Sequence, residues 1–310
     1  MAQFPQKMSL FATALQTQRG AAAATPTIVW PRLEAGGPSA VKNVNYIHWA
    51  DNRAGEAFFT DRGTWYEGDV SLPMVPGYLG GAGGLIDILC TRDAAWQGKW
   101  FSCWEDIGAN YRRQFVDCKT RSFNLKLAAN EEPSLSATIG GLSQVAGLDL
   151  SSYDPIAIEP YMVKEISAEL GEYGGAYAAT CIFKSIDISV DNNCTSFEDE
   201  MRICGTNPGN PHDQPNFMGQ IVEGSAEAEF SDATLIEAFE ELTVMKLKIT
   251  LARAGIATAV IEIPRLHIGA NPLKGGGASG MVMQDGIQFH GLYSGTDYAT
   301  SAIVVTETTP

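Results

Sequence analysis

The segment KSIDISVDN, residues 184–192, decides the fold because apolar and polar side chains alternate along it residue by residue. The apolar set, expected on one face of a strand, is Ile186, Ile188 and Val190. The polar set, expected on the opposite face, is Ser185, Asp187, Ser189 and Asp191. A period of two indicates a half-buried β-strand with one dry face and one wet face.

The segment GQIVEGSAEAEF, residues 219–230, repeats this pattern after a polar loop at residues 192–216. Its apolar positions are Val222, Ala226, Ala228 and Phe230. Its polar positions are Glu223, Ser225, Glu227 and Glu229. The segment therefore predicts a second half-buried strand whose wet face is acidic.

The segment SDATLIEAFEEL, residues 231–242, changes to the helical period. Ser231 or Asp232 can cap the helix. The apolar side chains form one stripe: Leu235, Ile236, Phe239 and Leu242. A single stripe predicts a short amphipathic helix that covers the dry face of the strands.

Two hairpins are predicted earlier in the chain. The first, residues 99–117, is KWFSCW, the turn DIGAN and the return YRRQFVD. The second, residues 118–141, has the wet-face residues Ser122, Asn124, Lys126, Ser134, Ser136 and Thr138. Lys126 is the one cation in this set, and we expect it at a rim or paired with an acid such as Glu223.

Composition, segment length and the positions of Gly and Pro predict how the rest of the chain is organised. Residues 1–40 predict an arm because they are rich in Pro, Gly and Ala and have little periodicity. Residues 41–310 predict a single mainly β domain, with strand-pair units at about 99–141 and 181–252 and C-terminal strands over 256–306. Residues 142–183 are too long for a turn and predict a connection over the surface, and Pro264 predicts an interruption between two C-terminal strands.

The charge balance limits the partners of the chain. The net charge is −15, from 21 basic and 36 acidic residues. Nucleic-acid binding through phosphates relies on clustered Lys and Arg, so this composition argues against it. No apolar run approaches the roughly 20 residues of a membrane span, and no membrane contact is predicted. The six cysteines form no CxxC pair and predict reduced thiols in a cytoplasmic setting.

Motifs for catalysis, cofactors and metals are weak. Gly275, Gly277 and Gly280 match G-x-G-x-x-G by letter, but a strand pattern follows them where a dinucleotide site needs a helix. The four histidines have no ligand spacing: His48, His212, His267 and His290. We therefore predict no catalytic residue, no metal site and no cofactor.

The strand at 184–192, the polar loop, the acidic strand and the helix resemble the major tail tube proteins of long-tailed, siphovirus-like bacteriophages. In that family a strand of the form sidIsVdNn precedes a polar loop, a strand that begins near a Gly, and a helix. CKTRSFNLKL at residues 118–127 and IEIPRL at residues 261–266 resemble further family segments. The resemblance covers roughly residues 60–306.

This resemblance implies a fold and a function. The fold is a mainly β, tail-tube-type sandwich or barrel with one packed helix, long loops and an N-terminal arm. Inner sheets would join into a ring-spanning barrel in stacked, hexameric rings. The protein would act in the virion tail after assembly in the host cytoplasm. Its partners would be other copies of itself, the tape measure protein, the tail terminator and the distal tail proteins.

The wet faces would then line the lumen, through which DNA passes without specific binding. The expected lumen residues are Ser122, Asn124, Lys126, Ser136, Thr138, Asp187, Ser189, Asp191, Glu223, Ser225, Glu227 and Glu229. Periodicity alone favours the outer surface of a monomeric β-sandwich, and it is the resemblance that favours the lumen of a tube. Two other classes stay open: another virion module, such as a capsid decoration or baseplate protein, and a carbohydrate-binding or glycosidase sandwich, for which Glu227 and Glu229 could be the carboxylates.

Overall fold

A computed structural model shows a chain built from antiparallel strands. It describes residues 9–31, 37–47, 58–80, 84, 99–107, 111–154, 156–179, 183–199, 201, 219–229, 234–270, 273–274, 283–293 and 302–309. The strands are β1 Ser9–Leu15, β2 Ile28–Pro31, β3 Ser39–Ile47, β4 Phe58–Pro73, β5 Phe101–Ile107, β6 Arg112–Ala128, β7 Ser134–Gly141, β8 Ser143–Ala146, β9 Ile166–Glu172, β10 Ala178–Ala179, β11 Phe183–Asp191, β12 Ile221–Glu229, β13 Met245–Arg253, β14 Ala257–Ala270, β15 Leu273–Lys274, β16 Met283–Gly291 and β17 Val304–Thr308. The α-helix of the described residues is α1, Thr234–Glu240. The mainly β prediction is confirmed.

The main sheet follows one continuous line of hydrogen-bonded strands. Its order is β3-β4-β7-β6-β11-β12-β16-β14-β13-β9, with every pair antiparallel. The short strands β10, β15 and β17 pair with β9, β16 and β14. Strands β11 and β12, which carry the two alternating segments at 184–192 and 219–230, are therefore direct neighbours near the middle of the sheet.

A second, smaller sheet has the order β2-β1-β5-β6-β8. Strand β6 belongs to both sheets, because residues 112–118 pair with β5 and residues 119–126 pair with β7. We predicted two hairpins divided between Asp117 and Cys118; instead, one strand runs through both. Asp117 has a left-handed φ of 56°, and the register with β5 shifts beside it. A bulge of this kind bends a strand and lets it change sheets.

The predicted arm contributes strands to this smaller sheet. Residues 10–13 pair with β2, and Ser9–Leu15 pair with β5. Phe11 and Trp30 are fully buried. The described part of residues 1–40 thus includes the strands β1 and β2, and an N-terminal arm that reaches a neighbouring subunit stays a prediction. Burying two large aromatic side chains stabilises this attachment by roughly 2–3 kcal/mol each.

The core lies on the dry face that alternation predicted. The inward side chains of β11 and β12 are buried: Ile186, Ile188, Val190, Val222, Ala226 and Ala228. Those of β13 are buried in the same cluster: Met245, Leu247, Ile249 and Leu251. Phe230 lies outside the described residues.

Helix α1 ends at Glu240, two residues before the end of the segment 231–242 that predicted it. Ala238 is buried, and Phe239 and Ile236 are half-buried, with Phe239 against the main core. The predicted caps at 231 and 232 lie outside the described residues, and Leu235 falls within the helix.

Leu242 does not belong to the buried stripe of this helix. The helix ends at Glu240, and Leu242 has a left-handed φ of 55° with 66% of its surface exposed. The N–H of Leu242 donates to the carbonyl of Phe239 at 3.3 Å, and that of Thr243 donates to Ala238 at 2.9 Å. These two bonds close a Schellman motif, which turns the chain away before Leu242 can reach the core.

Two further expectations are refined. Pro264 does not interrupt a strand pair, since β14 runs continuously over Ala257–Ala270 and the proline sits at a register shift with β13. Proline is tolerated in a strand at such a bulge because no ladder N–H is needed there.

The connection over 142–183 contains β8, β9, β10 and two short 3-10 turns, Leu150–Ser152 and Val163–Glu165. The glycine-rich segment at 275–282 and most of the polar loop, 202–218, lie outside the described residues.

Candidate functional site

The polar residues predicted to share one surface come from four neighbouring strands. We call these twelve residues the polar face: Ser122, Asn124, Lys126, Ser136, Thr138, Asp187, Ser189, Asp191, Glu223, Ser225, Glu227 and Glu229. Strands β7, β6, β11 and β12 pair in that order. Each of the twelve is at least partly exposed.

The register places these side chains in rows across the sheet. Residues directly opposite one another in an antiparallel pair point to the same side. The first row is Thr138, Ser122 and Asp191. The second row is Ser136, Asn124, Ser189 and Glu223. The third row continues from Lys126 through Asp187 to Ser225. Each predicted residue of β6, β7 and β11 thus has a polar cross-strand neighbour. The three rows contain ten of the twelve residues, and Glu227, opposite Ser185, and Glu229 continue the same side of β12.

Sequence reasoning missed three residues that extend the polar face at its two sides. Asp69 of β4 accepts a hydrogen bond from Thr138 Oγ1 at 2.6 Å. Gln288 and His290 of β16 lie opposite Ser225 and Glu223. His290 Nδ1 is 3.3 Å from Glu223 Oε1.

The added residues on β4 and on β16 differ in how easily the sequence alone could have predicted them. The stretch GDVSLP, residues 68–73, alternates cleanly and could have revealed Asp69. In β16 the alternation breaks at Gly286, which has a φ of 79° at a register shift with β12. After that bulge, Gln288 and His290 alternate with Ile287 and Phe289, but the strand as a whole departs from a period of two.

Lys126 has a partner other than the one we named. Its Nζ is 2.5 Å from Glu131 Oε2, in the turn between β6 and β7, while Glu223 approaches His290. The hydrogen bond to Glu131, together with the charges of Glu131 and Asp187, raises the pKa of Lys126 above its usual value. Lys126 is therefore a protonated side chain beside the hairpin turn, with its charge matched locally.

The charge of the surface is strongly negative. One lysine, Lys126, faces six carboxylates from the polar face and its β4 neighbour: Asp69, Asp187, Asp191, Glu223, Glu227 and Glu229. Two shallow depressions follow the surface. One of about 620 Å³ lies over Asp187 and Glu223, and one of about 310 Å³ lies over Asn124 and Thr138. Such a surface offers almost nothing that a phosphate backbone would bind.

Clustered metal ligands and a membrane-spanning helix are both absent from the part of the chain that the structure describes. Among the residues that the structure describes, no three or more His, Cys, Asp or Glu side chains come together as metal ligands would. No helix within the described ranges is long enough and apolar enough to cross a membrane.

Comparison with known families limits the classes of protein that the sequence left open. A family model described as phage tail tube protein matches residues 15–289, which include all four strands of the polar face. The chain belongs to the phage tail tube protein family. No curated protein matches it. As a family member, this tail tube protein is a structural component of the virion tail rather than a member of an enzyme family.

Proposed function

We propose that this tail tube protein is the major tail protein of a siphovirus-like phage, assembling into closed, hexameric rings that stack into the tube. Family membership supports a self-assembling tail component. The strand edges support the geometry: within the described residues, β3 pairs only with β4, and β8 pairs only with β6. Exposed edges invite pairing with another chain, and a head-to-tail contact that closes gives a ring.

The polar face forms the lumen wall of this tube. The observation that carries the proposal is the register, which gathers twelve polar side chains and a strong excess of carboxylates on one side of neighbouring strands. Each Lys or Arg contact with a phosphate would add a salt-sensitive attachment. A wall of Asp, Glu, Ser and Asn repels phosphates, so the genome passes without binding.

The tube would be completed by other tail proteins. In this proposal the subunits assemble in the host cytoplasm around a tape measure protein, start from distal tail proteins and stop at a tail terminator. Ring and stacked-ring contacts between copies of this chain supply the rest of the structure.

Electron microscopy of the purified chain at rising concentration tests the assembly. We expect rings or hollow tubes with an open lumen, formed alone or after addition of the tail-initiation proteins. A chain that stays monomeric with those proteins present would overturn ring assembly and favour a decoration role.

A charge reversal tests the lumen assignment. In phage carrying Glu223→Lys, Glu227→Lys and Glu229→Lys together, three new cations would face the passing DNA. We expect slower genome ejection in vitro, with a delay that shrinks at high salt because each phosphate contact is salt-sensitive. The measurement is the rate of DNA release from purified particles.

The matched control reverses three glutamates on and just after helix α1: Glu237, Glu240 and Glu241. It changes the net charge by the same amount outside the polar face. Equal ejection rates for both triple variants would count against the lumen assignment, while tube assembly by both would leave the structural role intact.

A further inference from the structure

Two cysteine thiols meet inside the junction of the two sheets. Cys103 lies on β5 and Cys118 on β6, and their sulfur atoms are 3.6 Å apart. Both side chains are 0% exposed and belong to the main hydrophobic core. Both are in the thiol form in this structure.

The bulge beside Asp117 creates this contact. On β6, Phe115 pairs with Cys103, and Cys118 pairs with Phe101, so two residues of β6 face the single Ser102 of β5. Phe115 and Cys118 are three positions apart and would point to opposite sides of a regular strand. The extra residue restores them to one side, where both join the same core cluster.

The bulge is held in place by its own hydrogen bonds. The N–H of Asp117 donates to Gln16 Oε1 at 3.0 Å, and Asp117 Oδ1 accepts from Gln16 Nε2 at 3.1 Å and from the N–H of Gly20 at 2.7 Å. The segment that follows β1 thus fixes the backbone next to Cys118. The hydrogen bonds that hold the bulge, where β6 passes from one sheet to the other, therefore also hold the two sulfur atoms next to each other.

We propose that Cys103 and Cys118 form a disulfide when the protein meets a small-molecule disulfide such as oxidised glutathione. The sulfur atoms would need to approach by about 1.5 Å to reach the S–S bond length of roughly 2.05 Å. The bond would tie β5 to β6 across 15 residues of chain. It would secure the smaller sheet at the point where β6 passes into the main sheet.

The chemistry is two successive thiol–disulfide exchanges. One cysteine thiolate attacks a sulfur of oxidised glutathione, the S–S bond of glutathione breaks, and one glutathione thiolate leaves. The second cysteine thiolate attacks the mixed disulfide and releases the second glutathione. In total the two cysteines lose two electrons and two protons, and oxidised glutathione becomes two molecules of reduced glutathione.

The setting of this oxidation rests on the proposed function, although the bond itself does not. A tube subunit folds in a reducing cytoplasm, where both thiols stay reduced. A released virion meets oxidising surroundings. The disulfide would then reinforce subunits that have already assembled.

Burial of the two sulfur atoms limits the rate at which oxidised glutathione can react with them. Neither sulfur is exposed, and Cys118 Sγ is packed over Gly141, where an added Cβ would lie only 3.2 Å away. Oxidised glutathione therefore reaches the pair through local opening of the sheet junction. Oxidation should be slow in buffer and faster in urea below the unfolding transition.

The test uses the purified full-length chain, incubated with oxidised glutathione with and without mild urea, then alkylated and analysed by mass spectrometry without reduction. Trypsin releases residues 100–112 with Cys103 and residues 114–119 with Cys118. We expect these two peptides to be joined, with a loss of about 2 Da and four alkylated cysteines left from six. The oxidised chain should melt about 5 °C higher, since a closed loop of this length restricts the unfolded chain.

Two cysteine variants test whether the disulfide forms between Cys103 and Cys118. Cys194→Ala should still give the joined peptides, and Cys118→Ala should not. Separate glutathione adducts on Cys103 and Cys118, or six alkylated cysteines after oxidation in urea, would overturn the proposal. This readout needs no ring, so a failure of tube assembly and a failure of disulfide formation are distinguished.

Discussion

Gly224 leaves room for a buried aromatic ring on the dry side of β12. It sits on β12 between Ile188 and Phe289. An added Cβ would lie 2.0 Å from Phe289 Cζ and 2.2 Å from Cε2. The ring of Phe289 occupies the space over this glycine and is buried there. Only a residue without a side chain fits beneath the ring.

The Gly224→Ala variant should therefore be destabilised. Because the phenylalanine or the strand must move, we expect a loss of about 1–3 kcal/mol in the free energy of unfolding, measured by urea denaturation. Gly175→Ala is the control, since its nearest neighbour, the carbonyl oxygen of Glu172, would be 3.4 Å from the new Cβ. Similar losses in the two variants would show that Phe289 does not constrain Gly224.

At the scale of elements, Arg253 fastens the long connection before β11 to the end of β13. Its Nε donates to Glu165 Oε1 at 2.8 Å, and its Nη2 donates to Glu165 Oε2 at 2.7 Å. Further bonds reach the carbonyls of Glu159 and Pro160 at 2.7 and 2.6 Å. The side chains of Arg253 and Glu165 are only 13% and 16% exposed. A bidentate pair of this kind has good geometry and little competition from water.

Replacing Glu165 by Gln should loosen this connection. The variant leaves the guanidinium of Arg253 without its carboxylate, and we expect about 2 kcal/mol less stability at neutral pH. Glu172→Gln, an exposed acid on β9, is the control. Urea denaturation of both variants checks the difference, and equal midpoints would show that the pair contributes nothing.

The same pair sets a pH dependence. The hydrogen bond from Arg253 holds the pKa of Glu165 below its ordinary value of 4.5. A carboxyl group with a lowered folded-state pKa stabilises the fold above that ordinary value, and the contribution is lost as the pH falls through the folded-state pKa. The stability gap between the natural chain and Glu165→Gln should thus be full at neutral pH and shrink in acid below 4.5. A gap that stays constant into that acid range would contradict this.

The elements also mark what local sequence can and cannot predict. Helix α1 was predictable because its apolar residues recur at helical spacing within about two turns of chain. Its end was not, because the left-handed residue there is Leu242 rather than glycine. Strand β6 was divided wrongly in two because its bend depends on Gln16, about a hundred residues away in the chain.

For the whole molecule, the main electrostatic fact is a net charge of −15 on every subunit. In the proposed ring these charges approach one another, and the acidic polar faces meet around a common lumen. Raising the salt from about 0.01 M to about 1 M shortens the Debye length from roughly 30 Å to roughly 3 Å. Assembly should begin at a lower protein concentration in high salt, as measured by analytical sedimentation.

The triple variant Glu223→Gln, Glu227→Gln and Glu229→Gln changes the net charge from −15 to −12. It should assemble at lower concentration than the natural chain in low salt, and the two should converge in high salt. An assembly threshold that does not respond to salt in either protein would refute self-repulsion as the main opposing force.

The sequence by itself determined the two-faced character of each strand. Ile186, Ile188 and Val190 could be assigned to the core, and Glu223, Ser225 and Glu227 to the wet side, because side-chain direction in a strand depends only on the count along the backbone. The mainly β class followed from that same local pattern, whereas the tail tube family rests on the resemblance of particular segments and on the family model that matches residues 15–289.

Only the tertiary structure decided which strands are neighbours. The rows from Asp69 to His290, the partner of Lys126 and the meeting of Cys103 with Cys118 all depend on pairing between distant segments. Register shifts at Asp117 and Gly286 change the phase of a strand without any change in composition. A bulge is stabilised by the partner strand and by distant hydrogen bonds, so its position is a property of the assembled sheet rather than of the segment that contains it.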